Sequence, residues 1–529
     1  MYRILVSDKL GQAGIDRLAQ EDNCEHVVKT GMSKPELIAE IPDFDALIIR
    51  SGTQVDADVL NAASNLKVIG RAGIGVDNVD VKAASSRGVI VMNTPQANSI
   101  ATAEHTMTSL LAVCRHTAPA HASVRNGEWK RSGFTGIQLY RKVLGLVGFG
   151  RIARLVARRA KAFDMHVIAH DPYVSEEAAQ QHGVKLVDLN ELLAGADMIS
   201  LHTSMSPETE NMINADTLSA CKEGIILINP SRGKLIDEQA LADALQSGKV
   251  KSAAVDVYRS EPPGKDHPLI GLPNVLHTPH LGASTEEAQR DVALQIVEQV
   301  LDTLHGRDFR NSINMPFNAG PNFKAIEPYM ILAAKIGALQ FHMADAPIRK
   351  IELELKGEAV EDLAKPIATG LLKGLLEFTV PDSVNYINAP AIAEQHGITV
   401  SQSKGLSAAD YTNLVSCKVE WDGGGSRTIS GALFGGEHPR IVQISKYYLD
   451  VDPRGTMLIM VNEDVPGVIG EVGTLLGSFQ VNIAEWRLGR DEKGDLALAF
   501  IHLDSELPGE AFEALKNIPA IKKLKLVHL

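Results

Sequence analysis

Three polar side chains stand just past short apolar runs: Arg232 in Asn229-Pro-Ser-Arg-Gly233, Glu261 in Asp256-Val-Tyr-Arg-Ser-Glu-Pro-Pro263, and His280 in His277-Thr-Pro-His-Leu-Gly-Ala-Ser284. A guanidinium can grip a carboxylate through a charge-assisted fork. An imidazole titrates near neutrality and can take a hydroxyl proton, and a carboxylate beside it stabilises the imidazolium that results. Cation, base and partner to the base together suit hydride transfer at a 2-hydroxy acid. Each residue also has a plainer use. His280 is one of 17 histidines and could be a surface or cap residue. Arg232 could cap a helix or form a surface ion pair, and Glu261 could sit in a solvated turn.

A hydride needs an acceptor, and Gly148-Phe-Gly-Arg-Ile-Ala153 offers a place for one. The phrase follows the apolar run 143–147 and opens a helical pattern. Gly148 permits a tight turn, Gly150 lets a pyrophosphate approach the backbone, small Ala153 lets helix lie on strand, and the helix N-terminus attracts phosphates. A second apolar run, 165–169, ends in His170-Asp171, about twenty residues past Gly150, where a carboxylate accepts both ribose hydroxyls and repels a 2′-phosphate. NAD is expected rather than NADP. Ile152, Leu155, Val156, Ala160 and Phe163 form one apolar stripe at helical spacing. Another glycine run, Gly70-Arg-Ala-Gly73-Ile-Gly75, leads to Asn93-Thr94 where an acidic residue is needed, and reads as a decoy. Asp256, closing the run 253–255, could contact the nicotinamide or cap a loop.

These groups require parallel strands to carry them. Residues 1 to about 98 alternate short strands (4–6, 46–49, 68–69, 89–91) with helical patterns, and a second series follows at 198–201, 224–228, 253–255 and 275–277. Loops at the carboxyl ends of such strands bind ligands, so Arg232, Glu261 and His280 are expected to meet in a cleft between two α/β units. After a helix from about 285 to 305, Asn311-Ser-Ile-Asn-Met-Pro-Phe-Asn-Ala-Gly-Pro321 reads as a boundary. The stretch from about 322 to 450 holds helices and a glycine-rich turn, Asp422-Gly-Gly-Gly425. From Asp452 the order is strand, turn, helix, strand, strand, helix, strand, a small α+β unit of ferredoxin-like type.

Composition sets outer limits. The chain has 529 residues, room for three or four domains of about 100 to 200 residues. A net charge of -13 argues against a nucleic-acid or anionic-membrane binder while leaving room for a local basic pocket. The four cysteines are scattered without paired spacing, which suits buried small hydrophobes in a reducing compartment and no metal site. No apolar run approaches the roughly 18 residues that span a bilayer, so a soluble, cytoplasmic protein is expected.

Several phrases in order resemble the D-2-hydroxyacid dehydrogenase family over residues 1 to about 316, and more closely the long-form D-3-phosphoglycerate dehydrogenases over essentially the whole chain. They are Arg71-Ala-Gly-Ile-Gly-Val-Asp-Asn-Val-Asp80, Met92-Asn-Thr-Pro95, Ala103-Glu-His105, Gly148-Phe-Gly-Arg-Ile-Ala153, Ser231-Arg-Gly233, Asp256-Val-Tyr258 with Glu261-Pro-Pro263, and His280-Leu-Gly-Ala-Ser-Thr285. The resemblance implies an α/β fold with a Rossmann-like NAD domain (99–281) inside a discontinuous, flavodoxin-like substrate domain (1–98 and 282–316). Two smaller α+β regulatory domains follow, an intervening domain (317–451) and a ferredoxin-like ACT domain (452–529).

It further implies Arg232, Glu261 and His280 as the catalytic set, and Gly148, Gly150, Arg151, Ile152, Asp171, Thr203 and Asp256 at the cofactor. Arg50, Arg71, Gly73 and Arg131 would lie near the substrate, 3-phosphoglycerate. The expected product is 3-phosphohydroxypyruvate, in the first step of phosphorylated serine synthesis. Asn462, Asp464 and Asn482 would bind L-serine as an effector across paired ACT domains of a homo-oligomer, a dimer or tetramer. Arg440 and Arg454 would belong to an anionic effector site of the intervening domain. Departures are modest: Ser231 stands for a common alanine, Lys234 for a glycine, and Ala153 for the third glycine. The rival readings are another D-2-hydroxyacid dehydrogenase, such as a hydroxypyruvate or glyoxylate reductase, and an NAD-sensing binding protein on this fold, against which retention of the triad argues.

Overall fold

The structure is a computed structural model that describes residues 1–318, 323–379, 384–405, 410–491 and 495–529. The end of the expected boundary stretch, residues 319–321, lies outside the described residues.

The first sheet has five parallel strands in the order Cys24–Val28, Tyr2–Val6, Ala46–Ile49, Val68–Arg71, Ile90–Asn93. Its central strands read as unbroken β-branched and aliphatic runs because helices cover both faces. Cys24–Val28 escaped the sequence reading: an edge strand buried mainly at Cys24 lacks that signature. Helix Glu286–Leu304, capped by the Thr285 hydroxyl on the Ala288 amide, returns from far along the chain to cover this sheet. Gly70 is needed there, since a Cβ on it would lie 2.6 Å from Val300 Cγ2. Asn314 then stitches the returning segment to the sheet, accepting from Val91 N and donating to Val89 O.

The second sheet has seven parallel strands in the order Val275–His277, Val250–Val255, Ile225–Asn229, Met198–Leu201, Val143–Val147, His166–His170, Lys185–Leu186. Strand order reverses direction between Val143–Val147 and Met198–Leu201, the switch point at which doubly wound sheets open a ligand crevice. Helix Arg151–Ala162 lies over this point, burying Ala153, Val156, Ala157 and Ala160. The expected stripe is therefore rotated: Ile152 and Leu155 are half-buried, and Phe163, past the helix end, is exposed.

Helix Phe323–Met343 lies against Ala364–Leu376, and the pair covers a six-stranded sheet in the order Thr399–Gly405, Ile348–Lys356, Leu414–Trp421, Gly425–Phe434, His438–Ile444, Tyr447–Val451. The Asp422–Gly424 turn joins two of its antiparallel strands. The last unit is a four-stranded antiparallel sheet, Ile483–Arg490, Leu496–Leu503, Thr456–Glu463, Ile521–His528, with helices Val468–Ser478 and Gly509–Lys516 on one face. Met457, Ile459, Leu498, Phe500 and Val527 on the other face join the core of the preceding unit. No helix among the described residues is long and apolar enough to cross a membrane.

Candidate functional site

The parallel strands Ile225–Asn229, Val250–Val255 and Val275–His277 end at the same edge of the seven-stranded sheet, and their loops carry Arg232, Glu261 and His280. The loops are tied together through Tyr258. Gly233 lies so close to it that a Cβ would sit 1.9 Å from the Tyr258 carbonyl carbon, so Arg232 must be followed by glycine here. The Tyr258 amide donates to Glu261 Oε1 at 3.0 Å, and Glu261 Oε2 meets His280 Nδ1 at 2.8 Å. Burial alone would raise the Glu261 carboxyl. The hydrogen bonds from His280 and the Tyr258 amide outweigh it and hold the group below its usual range, as a carboxylate.

His280 occupies the left-handed region, φ 56°, a conformation that costs a non-glycine residue about 1–3 kcal/mol. Asp256 over-determines it. Its carbonyl accepts from the His280 amide at 2.8 Å, while its carboxylate accepts from Thr278 Oγ1 (2.6 Å), Leu281 N (2.8 Å) and Gly282 N (2.9 Å). Bonds to a charged acceptor contribute about 1.5–3 kcal/mol each, enough to hold the strained loop. His105, from helix Ser99–Cys114, closes the cluster with Nε2 3.1 Å from Asp256 Oδ1. Burial of Asp256, only 3 % exposed, pushes its carboxyl up, but these donors prevail and lower it. Of the two uses considered for Asp256, the loop-capping one is thus made within the chain itself.

At the switch point Gly148 turns with φ 90° and donates to the His170 carbonyl. A Cβ there would meet the His202 carbonyl oxygen at 2.7 Å and Thr203 N at 2.9 Å. Gly150 is the N-cap of helix Arg151–Ala162, and a Cβ on it would meet nothing within 4 Å, so the space above the turn is open to a bulky group. Asp171 follows the His166–His170 strand, and its Oδ2 accepts from Phe149 N at 2.8 Å, fixing the carboxylate beside the glycine turn. Arg151 reaches across to the Pro95 carbonyl, Ile152 is half-buried behind it, and the Thr203 carbonyl accepts the Ser231 hydroxyl, which gives the unusual Ser231 a use. Open backbone, helix N-terminus and a carboxylate at the end of the next strand fit a dinucleotide.

On the facing side of the cleft, the glycine run set aside as a decoy has its own purpose. Arg71 lies across Gly73 and Arg232 across Gly75: added Cβ atoms would sit 1.6 Å from Arg71 Nη1 and 1.8 Å from Arg232 Nη2. Burial, with Arg232 and Arg50 nearby, pushes Arg71 down to about 10, and its Nε has no hydrogen-bond partner among the described residues. Arg50 is anchored through its amide to Asp8 Oδ2. Arg131 sits exposed in the Arg131–Phe134 turn, close in sequence to Trp129, 82 % exposed. The sequence reading gave no role to Asp77 or His105, although both stand inside phrases it singled out.

In the last unit the structure separates what the sequence grouped. Asn462 lies next to the end of strand Thr456–Glu463, and Asp464 follows the strand, paired with Arg490 at 3.0 Å. Asn482 precedes strand Ile483–Arg490 and contacts Asp504 at the other end of the sheet. Arg440 and Arg454 both pair with Asp452, at 3.0 and 2.9 Å.

Residues 107–282 match the family described as the NAD binding domain of D-isomer specific 2-hydroxyacid dehydrogenase. Residues 325–445 match the D-3-phosphoglycerate dehydrogenase intervening domain, and 456–520 the ACT domain. Curated relatives called D-3-phosphoglycerate dehydrogenase include one from Archaeoglobus fulgidus, 40% identical over 529 residues, and one from Methanocaldococcus jannaschii, 42% identical over 530, each alignment covering 100% of both chains. A crystal structure from Thermus thermophilus is 38% identical, covering 59% of this chain and 99% of its own, with a TM-score of 0.55.

Proposed function

Since the chain belongs to the D-3-phosphoglycerate dehydrogenases, we propose that Arg232, Glu261 and His280 carry out the oxidation of 3-phospho-D-glycerate to 3-phosphohydroxypyruvate with NAD, the opening step of phosphorylated serine synthesis. The observation that carries this reading is the 2.8 Å pair of His280 Nδ1 with Glu261. A carboxylate acceptor at Nδ1 selects the Nδ1–H tautomer and leaves the Nε2 lone pair to act as base.

Bound NAD supplies the two-electron acceptor for the hydride that leaves C2. His280 Nε2 takes the hydroxyl proton as the C–O bond becomes a carbonyl, and Glu261 stabilises the imidazolium so formed. Arg232 grips the substrate carboxylate. Arg71 and Arg50 form the positive wall that faces the phosphate. Gly148, Gly150 and the N-terminus of helix Arg151–Ala162, with Arg151, Ile152 and Thr203, would hold the pyrophosphate side of the cofactor. Asp171 would hold the adenosine ribose, while Asp256 serves from behind by holding the base's loop.

We divide the chain as its sheets suggest, into a substrate unit (1–98 and 282–316), an NAD unit (99–281), an intervening unit (317–451) and an ACT unit (452–529). Asn462 and Asp464 stand roughly 20 Å along the sheet from Asn482, so one serine could touch both groups only across two copies. Laying the edge strand Ile483–Arg490 antiparallel to its own copy brings Asn482 of one chain to the Asp464 end of the other. A homo-oligomer with serine at that seam follows, and the exposed Trp129 and Arg131 turn suits a further contact between copies. Four buried, free cysteines fit a cytoplasmic enzyme.

A substrate panel tests the central reading: 3-phosphoglycerate, D-lactate, glycerate and 2-hydroxyglutarate, each with NAD and NADP. The expected result is clear preference for 3-phosphoglycerate with NAD; preference for unphosphorylated acids would overturn it.

A further inference from the structure

Arg232 is not held by its own half of the molecule alone. It sits in the loop after strand Ile225–Asn229 of the seven-stranded sheet, yet its Nε donates at 2.8 Å to Asp77 Oδ2, from the loop after strand Val68–Arg71 of the five-stranded sheet. Nη1 donates to the Ser231 carbonyl at 2.8 Å, and Nη2 lies over Gly75, where Asp77 Oδ2 is also close. The guanidinium is therefore held by one partner from each side of the cleft and lies against Gly75, where a Cβ would displace it.

Without such a hold the side chain would not stay put. Arg71 and Arg50 stand nearby, and like charges push a flexible guanidinium toward solvent. An unrestrained arginine loses rotamer freedom when it binds, and a bidentate grip needs its plane set in advance. We propose that Asp77 is the positioning residue for Arg232: by taking Nε it sets the guanidinium plane and turns Nη2 toward the substrate's carboxylate. Because the pair spans the cleft, a competent Arg232 exists only when the two halves stand in this arrangement. The opposite role for the same contact would be competition, with Asp77 occupying the place of the substrate's carboxylate. The two have opposite signs in kinetics.

The inference rests on Arg232 acting at the substrate, so the test is a double-mutant cycle in the full-length protein: Asp77→Asn, Arg232→Lys and both together. Asp77 is largely exposed, so its substitution leaves the fold intact, checked by an unchanged melting temperature. The expected result for Asp77→Asn is a KM for the hydroxy acid raised about tenfold or more, with NAD affinity, read by nicotinamide or tryptophan fluorescence, within twofold of wild type. In the Arg232→Lys background the same substitution should change KM less than twofold, because there is no planar fork left to set. A fall in KM would establish competition instead, and losses that simply multiply would show that Asp77 does not act through Arg232; either overturns the proposal. Wild-type kinetics in Arg232→Lys would unseat Arg232 itself and with it the proposed site. A crippled Arg232→Lys beside a silent Asp77→Asn would sink only the positioning role.

Discussion

A histidine held at φ 56° with Nδ1 on a carboxylate has one nitrogen left to work with. His280→Ala should therefore cut turnover at least about a hundredfold, the usual contribution of a positioned base, while a binding titration finds NAD affinity nearly intact. The residue types and order of Arg232, Glu261 and His280 were legible in the sequence because each follows a buried strand. Asp77 and His105 were not, since an aspartate in a glycine-rich loop and a histidine in a helix declare no partner until folding brings one from 155 or 151 residues away. His202 shows another unannounced effect. It lies under the glycine turn with Nε2 on Ser200 Oγ, and burial pushes it down to about 3. The native state stays neutral where the unfolded chain binds a proton, so between about pH 6.5 and 3 stability falls as pH falls, and above that window this group has no effect. Urea unfolding followed across this range should show a shallower pH slope in His202→Asn than in wild type.

At the scale of elements, what the sequence conveyed depended on where an element sits. Central parallel strands such as Ile225–Asn229, buried along their whole length, declare themselves; at the edges only the apolar runs of Ile90–Asn93 and Val275–His277 do so, while Cys24–Val28, which carries Glu25 and His26, and the two-residue Lys185–Leu186 do not. For the intervening unit the resemblance implied an α+β class, but the strands of its sheet were not read one by one, although Ile348–Lys356 carries the period-two alternation of a half-buried strand, with Ile351, Leu353 and Leu355 in the core. The helices above that sheet depend on glycines whose use is visible only in the fold. A Cβ on Gly374 would lie 1.9 Å from the Ala334 carbonyl oxygen, and one on Gly337 2.1 Å from that of Leu371. The backbone cannot yield cheaply, so Gly374→Ala, which favours an isolated helix by roughly 1 kcal/mol, should nonetheless destabilise the protein by about 1–3 kcal/mol through overpacking. Chemical denaturation would decide between the signs, and a stabilised variant would mean the helices are not apposed this closely.

At the scale of the whole molecule, the regulatory half is joined to the catalytic half by identifiable contacts rather than by a free tether. Phe309, Phe317, Phe323 and Met330 form one apolar cluster, and Asn385 donates to the Gly88 carbonyl just past helix Val81–Ser86 of the five-stranded unit. The ACT sheet in turn shares its core with the intervening unit, and Lys525 caps the helix Phe323–Met343 through the His342 and Ala344 carbonyls. An effector on the ACT sheet thus has a continuous packed route to the five-stranded sheet, but allostery requires that it bind two arrangements unequally. The placement of Asn482 opposite Asn462 and Asp464 gives a sharp test, because a site built across two copies can be repaired by mixing. Asn482→Ala and Asp464→Ala should each abolish most serine inhibition when present alone, with serine-free kinetics largely intact. In oligomers assembled from both variants, one seam site combines the intact Asn482 of one chain with the intact Asp464 of the other. Serine inhibition should therefore return in part in the mixed preparation and in neither parent. A mixture as insensitive as its parents would mean that these groups do not act in one site across the seam.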